Sequence, residues 1–179
     1  MKITDIKTEY RTAPIGIDIA RPRFSWKIVS DKQNMMQTSY RILAYSDAEC
    51  KQLIWDSSTV SSSDSQRVRW GGRELCSAER VYWKVIVTVT NGEVTEQAES
   101  DLSFFEMGLL DVSDWHCSWI ELPDQSDWFK YQPAPIMRKE FTVKKGLKSA
   151  RIYQTAHGLY EFWLNGRLGT DEKSNVAWL

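Results

Sequence analysis

The stretch RVYWKVIVTVT, from Arg80 to Thr90, places valines at alternate positions and mixed side chains between them. This two-residue period is typical of a β-strand. One face of the strand carries Val85, Val87 and Val89. The pattern predicts a strand that is covered on one face and partly covered on the other. The adjoining Asn91-Gly92 pair predicts a turn.

The same period recurs on both sides of this stretch. Alternating segments separated by turn-forming residues are ITDIKTEY at the start of the chain, RFSWKIV, TSYRILAYS, SQRVRW and SDLSFFEM. Many short strands with turn signals between them are typical of an all-β sandwich. We therefore predict an all-β fold, with a first sandwich domain over residues 1–107.

The charge and hydropathy of the chain limit the kinds of partner that we expect. The chain has 179 residues and a formal net charge of −1, which gives no electrostatic reason to expect a nucleic-acid partner. It has no apolar stretch long enough to cross a bilayer, so we expect no membrane partner. The charged, alternating start has no apolar run typical of a signal peptide. With Met1 as the true start, the expected compartment is the cytoplasm.

The three cysteines have no spacing typical of metal ligands. Cys50, Cys76 and Cys117 lie far apart in the sequence, and their number is odd. We expect reduced, mostly buried thiols that pack as small hydrophobic side chains. No pattern in the chain suggests a metal or another cofactor.

A second, incomplete domain is predicted over residues 108–179. Its alternating segments are PIMRKEFTV and KSARIYQTAHGLYEFWLNG, and a further strand is expected around Trp119. Asn165-Gly166 is a favoured hairpin turn because both positions need positive φ. An incomplete sandwich exposes strand edges and an apolar face. We expect residues 109–179 to be partly disordered, to form a homodimer through their edges, or to be completed by another chain.

No catalytic template fits the chain. The histidines are His116 and His157, and no serine lies in a G-x-S-x-G motif. His157 precedes Gly158, which favours a structural role in a bend or bulge. Glu161 lies between two aromatic residues but has no partner acid for glycosidase chemistry, so we expect it on a solvent face. We predict no catalytic residue.

Aromatic residues are the remaining candidates for function. Trp128, Phe129 and Tyr131 lie in a loop bracketed by prolines, where the strand period does not force burial. Exposed aromatic faces stack on sugar rings, so these residues are candidate carbohydrate contacts. The alternative is a loop that covers a sheet edge or a neighbouring domain. Trp115, Trp119 and Trp163 are expected in a core or at an inter-domain contact.

The order of several segments resembles a known enzyme family. The segments are APIGIDIARPRFSWKIVS, QTSYRILAYSD, LIWDSSTVSSSDS, RVYWKVIVTVTNG, FFEMGLL, DWHCSWI, PAPIMRKEF and ARIYQTAHGLYEFWLNGRLG. Together they resemble the N-terminal region of bacterial α-L-rhamnosidases, which are glycoside hydrolases. The resemblance implies that the first domain is an immunoglobulin or fibronectin type III-like sandwich. It implies that the second begins a jelly-roll-like sandwich.

The resemblance also implies a division of labour. The family's catalytic acids lie in an (α/α)6 barrel several hundred residues further on, so none can be assigned here. The family usually continues with a Pro-Gly-Trp-Thr-Tyr-like strand, where this chain reads NVAWL. We expect a non-catalytic region that positions the barrel of an enzyme hydrolysing terminal α-L-rhamnose. The alternatives are a free carbohydrate-binding or adhesion module for rhamnose-containing glycans, and a structural spacer.

Overall fold

The computed structural model describes residues 1–121 and 135–169, and within them the fold is all-β, as predicted. A 3-10 helix spans Val112–Asp114. The strands are β1 (Lys2–Thr8), β2 (Arg23–Val29), β3 (Met36–Tyr45), β4 (Leu53–Asp56), β5 (Val68–Arg69), β6 (Arg80–Thr90), β7 (Thr95–Glu99), β8 (Ser103–Glu106), β9 (Trp163–Leu164) and β10 (Arg167–Leu168).

The first eight strands form two antiparallel sheets. The smaller sheet has the order β1-β2-β5, and the larger has the order β4-β3-β6-β7, with β8 also paired to β6. Strand β6 is central because it has partners along both edges. Val87, for example, pairs with Tyr40 of β3 and with Ala98 of β7. The stretch that predicts the fold from sequence is therefore the middle of the larger sheet.

The core lies between the two sheets. The inward face of β6 is fully buried, and it meets aromatic side chains from the smaller sheet. The Phe24 ring lies 4.4 Å from that of Trp83 and 6.4 Å from that of Trp70, measured between centroids. Tilted aromatic packing at these distances adds to the gain from burial. A thin core filled with large rings thus accounts for several of the tryptophans in the chain.

Polar atoms at the core's edge are satisfied by a glutamine. The Trp26 indole donates to Gln37 Oε1 at 3.0 Å. Gln37 Nε2 in turn donates to the carbonyl oxygens of Ser62 and Asp64, at 3.0 and 2.7 Å. A buried donor without a partner costs free energy, so this relay lets an indole be buried while it holds the loop before β5 against the sheets.

The described residues from 116 onward, which we call the second region, lack most of the predicted strands. Of the alternating segments in residues 135–169, only Trp163–Leu164 and Arg167–Leu168 are strands, joined by the predicted Asn165-Gly166 hairpin. Both turn residues have positive φ, at 50° and 75°. The strands expected over residues 135–143, over residues 148–162 and in the described part around Trp119 are not formed. No described residue from 116 onward is buried, so these alternating faces have no sheet to pack on.

The expectation of mostly buried cysteines is wrong. All are free thiols, but Cys76 and Cys117 are exposed and Cys50 is half-buried. Cys50 lies in a turn with a positive φ of 57°, where the backbone leaves the sheet. The hydrophobic character of a thiol does not decide burial in such loops, because the backbone must reach solvent to satisfy its own polar groups.

Candidate functional site

The predicted carbohydrate contacts Trp128, Phe129 and Tyr131 lie outside the described residues. Their role stays a prediction. Among residues 1–121 and 135–169 there is no group of three or more histidine, cysteine, aspartate or glutamate side chains that could hold a metal ion. The same residues contain no helix with the length and apolar character needed to cross a bilayer.

The tryptophans expected in a core or at an inter-domain contact differ in exposure. Trp115 is half-buried, whereas Trp119 and Trp163 are 64% and 57% exposed and do not lie in a core. An inter-domain contact through them stays a prediction. The His157 ring stacks on the Trp119 indole at 4.2 Å between centroids. His157 lies in the predicted bend, before Gly158 with a φ of 112°. Glu161 is exposed, as expected, and accepts a hydrogen bond from the Trp163 indole at 3.3 Å.

A buried carboxylate marks the junction between the two regions. Glu106 ends β8, and its side chain is only 8% exposed. Arg151, from the second region, donates to it through Nε at 2.6 Å and Nη2 at 3.0 Å. Arg80, at the start of β6, donates through Nε at 2.9 Å. The paired two-pronged geometry is the strongest form of guanidinium–carboxylate contact.

The electrostatics of this site favour an ionised Glu106. Burial by itself raises the pKa of a carboxyl group, but the hydrogen bonds from Arg151 and Arg80 outweigh burial and hold the Glu106 pKa below its ordinary value of 4.5. The Arg80 guanidinium also lies over the Phe104 ring, 4.6 Å from its centroid. These contacts fix the arginine on the sheet, and with it the carboxylate. We call Glu106, Arg80 and Arg151 the junction cluster.

The junction cluster lies beside an open depression of about 340 Å³. The lining residues are Ala78, Arg80, Glu106, Ser149, Arg151 and Tyr153. Both cationic residues of this lining are already paired with Glu106. A catalytic carboxylate needs access to substrate and a proton-transfer partner, whereas Glu106 is occupied by two guanidinium groups. The arrangement suits a structural clamp.

The backbone strengthens the same junction. The Gly108 amide donates to the carbonyl oxygen of Ile17 at 2.7 Å, and its own carbonyl accepts from the amide of Ala78 at 3.0 Å. These two hydrogen bonds hold the chain that leaves β8 against the first domain.

The 3-10 helix that follows β8 is hydrogen-bonded to the loop before β6. The Leu110 amide donates to Ser77 Oγ at 2.8 Å, and that hydroxyl donates to the Asp114 carboxylate. The Asp111 side chain accepts from the amide of Ser113 at 2.8 Å and caps the helix. A capped turn bonded to the domain gives the chain a defined exit direction.

Sequence reasoning missed the junction cluster. One signal was available: Glu106 lies between Phe105 and Met107 in a segment that is otherwise apolar, which is unusual for an unpaired acid. Its partner Arg151 is 45 positions away in sequence, and no local spacing connects the two residues.

Comparison with known proteins agrees with this architecture. Residues 3–111 match the family described as the Rha78A-like, N-terminal immunoglobulin domain. An α-L-rhamnosidase from Alteromonas sp. (strain LOR) is 33% identical over 163 residues, which cover 86% of this chain and 18% of that protein. An α-L-rhamnosidase from Formosa agariphila is 33% identical, over 87% of this chain and 19% of its own length.

A solved structure is also similar to this chain. The crystal structure of Streptomyces avermitilis α-L-rhamnosidase complexed with L-rhamnose aligns with 68% of this chain and 12% of its own, at a TM-score of 0.64 and 32% identity. The chain belongs to the family of Rha78A-like N-terminal immunoglobulin domains. It corresponds to the non-catalytic N-terminal β region of α-L-rhamnosidases, and it spans less than a fifth of the curated relatives named above.

Proposed function

We propose that this chain positions and stabilises the catalytic part of an α-L-rhamnosidase, an enzyme of carbohydrate metabolism that hydrolyses terminal α-L-rhamnose from glycans. The junction cluster is the observation that carries the proposal. A non-catalytic domain can set the orientation of the next domain only if the linking chain is held firmly. Glu106 holds both the first domain, through Arg80, and the second region, through Arg151.

The surface of the second region supports a large partner. Apolar side chains that are at least 37% exposed lie along it. They are Trp119, Ile120, Ile136, Met137, Phe141, Val143, Leu147, Ile152, Tyr153, Leu159, Trp163, Leu164 and Leu168. Exposed apolar surface on this scale marks a contact with another domain or chain. We propose that the rest of the enzyme covers this surface and completes the second sandwich.

A chimera tests the proposal. The region of the Streptomyces avermitilis enzyme that matches this chain is replaced by this chain, and hydrolysis of p-nitrophenyl α-L-rhamnoside is measured. We expect turnover by the chimera and none by the chain alone, because no catalytic pair is assigned to it. Turnover by the chain alone that survives repurification would overturn the proposal.

The Glu106→Gln variant of the chimera tests the positioning role. We expect a lower melting temperature for the chimera, because the second region loses its ionic tie to the first domain. The matched control is Glu99→Gln, which removes another acid paired with a basic residue, but on the exposed β7. An equal loss of thermal stability in both variants would contradict a special role for the junction.

A second candidate function rests on the exposed aromatic surface. Trp119 and Trp163 have the exposure needed to stack on a sugar, and His157 supports one face of Trp119. A carbohydrate-binding role would add the predicted contacts Trp128, Phe129 and Tyr131. Titration with L-rhamnose and rhamnosylated glycans, followed by tryptophan fluorescence, tests this role. A saturable change that Trp119→Ala abolishes would support it, and the absence of any saturable change would remove it.

A further inference from the structure

The smaller sheet of the first domain carries a second, separate feature. A depression of about 350 Å³ is lined by Ile19, Arg21, Arg23 and Arg69. None of these residues belongs to the junction cluster, and neither the family match nor the proposed function requires them. We call this feature the arginine depression.

Strand pairing brings two of the arginines together. Arg23 of β2 and Arg69 of β5 are direct partners in the antiparallel register. Their neighbours Phe24 and Val68 are buried, so the two arginines face outward together. Like charges at directly opposed positions destabilise a sheet. The third arginine, Arg21, lines the same depression from the segment before β2. The three side chains therefore concentrate positive charge at this depression.

Only one of the three arginines is neutralised within the described part of the chain. The Glu9 carboxylate accepts from Arg23 Nη2 at 2.6 Å and from Nε at 3.1 Å. The Arg23 guanidinium also lies 5.3 Å from the centre of the Tyr10 ring. Arg21 and Arg69 are exposed, and neither forms an ion pair with any residue in 1–121 or 135–169. Among the residues that the structure describes, Arg21 and Arg69 therefore have no carboxylate counter-charge.

The chemistry of guanidinium groups selects the ligand. A planar fork of N–H donors matches the oxygens of a carboxylate or of a tetrahedral oxyanion such as phosphate or sulfate, and two forks can clamp one such group. Arg23 is held in place by Glu9 and Tyr10, and it lies beside Arg21 and Arg69 in the same lining. Ile19, which is 41% exposed, adds an apolar wall to the lining. We propose that the arginine depression is an oxyanion-binding site for a ligand that carries a carboxylate or sulfate group.

Binding measurements on the whole chain test the proposal. Isothermal titration at low ionic strength uses inorganic sulfate and glucuronate as anionic probes and L-rhamnose as an uncharged sugar. We expect saturable binding of both anions at one site, weakened by added salt. Tighter binding of glucuronate than of sulfate would assign the site to acidic sugars, and equal affinities would assign it to free oxyanions. Binding of neither anion would overturn the proposal.

Variants locate the site. Arg21→Gln and Arg69→Gln together remove the free guanidinium groups, and we expect the affinity for both anions to fall about tenfold or more. The matched control is Arg67→Gln, which removes an exposed arginine outside the lining. It should change the affinity by less than about twofold. Equal losses in the two proteins would show diffuse attraction to surface charge and overturn the proposal.

Stability provides an independent readout. Because Arg69 lies opposite Arg23, the Arg69→Gln variant should unfold at the same urea concentration as the wild type or at a higher one. Sulfate should raise the unfolding midpoint of the wild type more than that of the double variant, which keeps only the general stabilisation by a salt excluded from the protein surface. A sulfate effect of equal size in both proteins would contradict a specific site.

Discussion

Residues 1–111 and the described residues of the second region, 116–121 and 135–169, differ in what covers their apolar side chains. Val87, in the centre of β6, is completely buried, whereas Ile136 of the second region is 95% exposed. Both side chains are branched and apolar, so the difference comes from their surroundings. Val87 has partner strands on both edges and a second sheet across the core. The described part of the second region offers Ile136 neither.

The contrast shows that alternation creates a face but does not make a strand. A backbone in extended form leaves its amide and carbonyl groups unpaired until another strand accepts them. In the first domain, β6 has β3, β7 and β8 as partners. In the second region the hairpin of β9 and β10 is the pairing that the described residues form. A two-stranded hairpin alone is marginally stable.

The largest effect should come from a cavity at the centre of the first domain. Phe24 is fully buried against aromatic rings, so Phe24→Ala should lower the free energy of unfolding by about 3–5 kcal/mol. Ile136→Ala in the second region should change it by less than about 0.5 kcal/mol. Urea unfolding followed by tryptophan fluorescence measures both variants. Similar losses would mean that the two regions share one core, and the contrast would be broken.

Limited proteolysis should sharpen the boundary between the regions. Cleavage after Lys139 or Lys148 should be about a hundredfold faster than cleavage after Lys84 of β6, because only the latter requires a sheet to open. Mass spectrometry of the fragments identifies the cut sites. The resistant core should end near the 3-10 helix. A resistant core that ends well beyond residue 125 would contradict this picture.

The junction cluster is where the two regions meet, and its loss should have a moderate effect. Glu106→Gln leaves two half-exposed guanidinium groups without their carboxylate and should cost about 1–3 kcal/mol. Glu99→Gln removes an exposed ion pair and should cost less than about 1 kcal/mol. Urea unfolding at pH 7 compares the two variants. A smaller loss for Glu106→Gln than for Glu99→Gln would show that the clamp contributes nothing.

The first domain could be predicted from sequence because its information is local. The two-residue period of β6 marks the buried face of that strand, and the Asn91-Gly92 pair marks the turn that follows it. In the second region, Asn165-Gly166 marks the turn between β9 and β10 in the same way. The predicted division between residues 107 and 108 remains a prediction, although the family match to residues 3–111 covers the same part of the chain.

The remaining features depend on contacts between distant residues. Nothing local connects Glu106 to Arg151, or indicates that Arg23 and Arg69 will be opposed in register. The strand prediction for the second region was largely wrong for the same reason, because the two-residue period alone does not reveal whether partner strands exist. The prediction of buried cysteines was wrong because backbone geometry, and not side-chain hydropathy, places Cys50 and Cys76 in loops.

Acid should weaken the junction through Glu106, with the smallest effect of the series. The folded state holds the Glu106 pKa below its ordinary value of 4.5, despite burial, because Arg151 and Arg80 donate to the ionised form. The unfolded chain therefore takes up this proton first as the pH falls. The stabilisation is fully present above pH 4.5 and is lost as the pH falls through the folded pKa.

The Glu106→Gln variant isolates this contribution from those of the other carboxylates. Asp56 and Glu79 also have lowered pKa values, because Arg41 and Arg73 respectively donate to them, so both proteins lose stability in acid. The difference in unfolding free energy between wild type and variant should be constant from pH 7 to pH 5 and should narrow as the pH falls below 4.5. Urea titrations across this range measure it. A constant difference down to pH 3 would mean that folding does not lower the Glu106 pKa, and the electrostatic account of the clamp would fail.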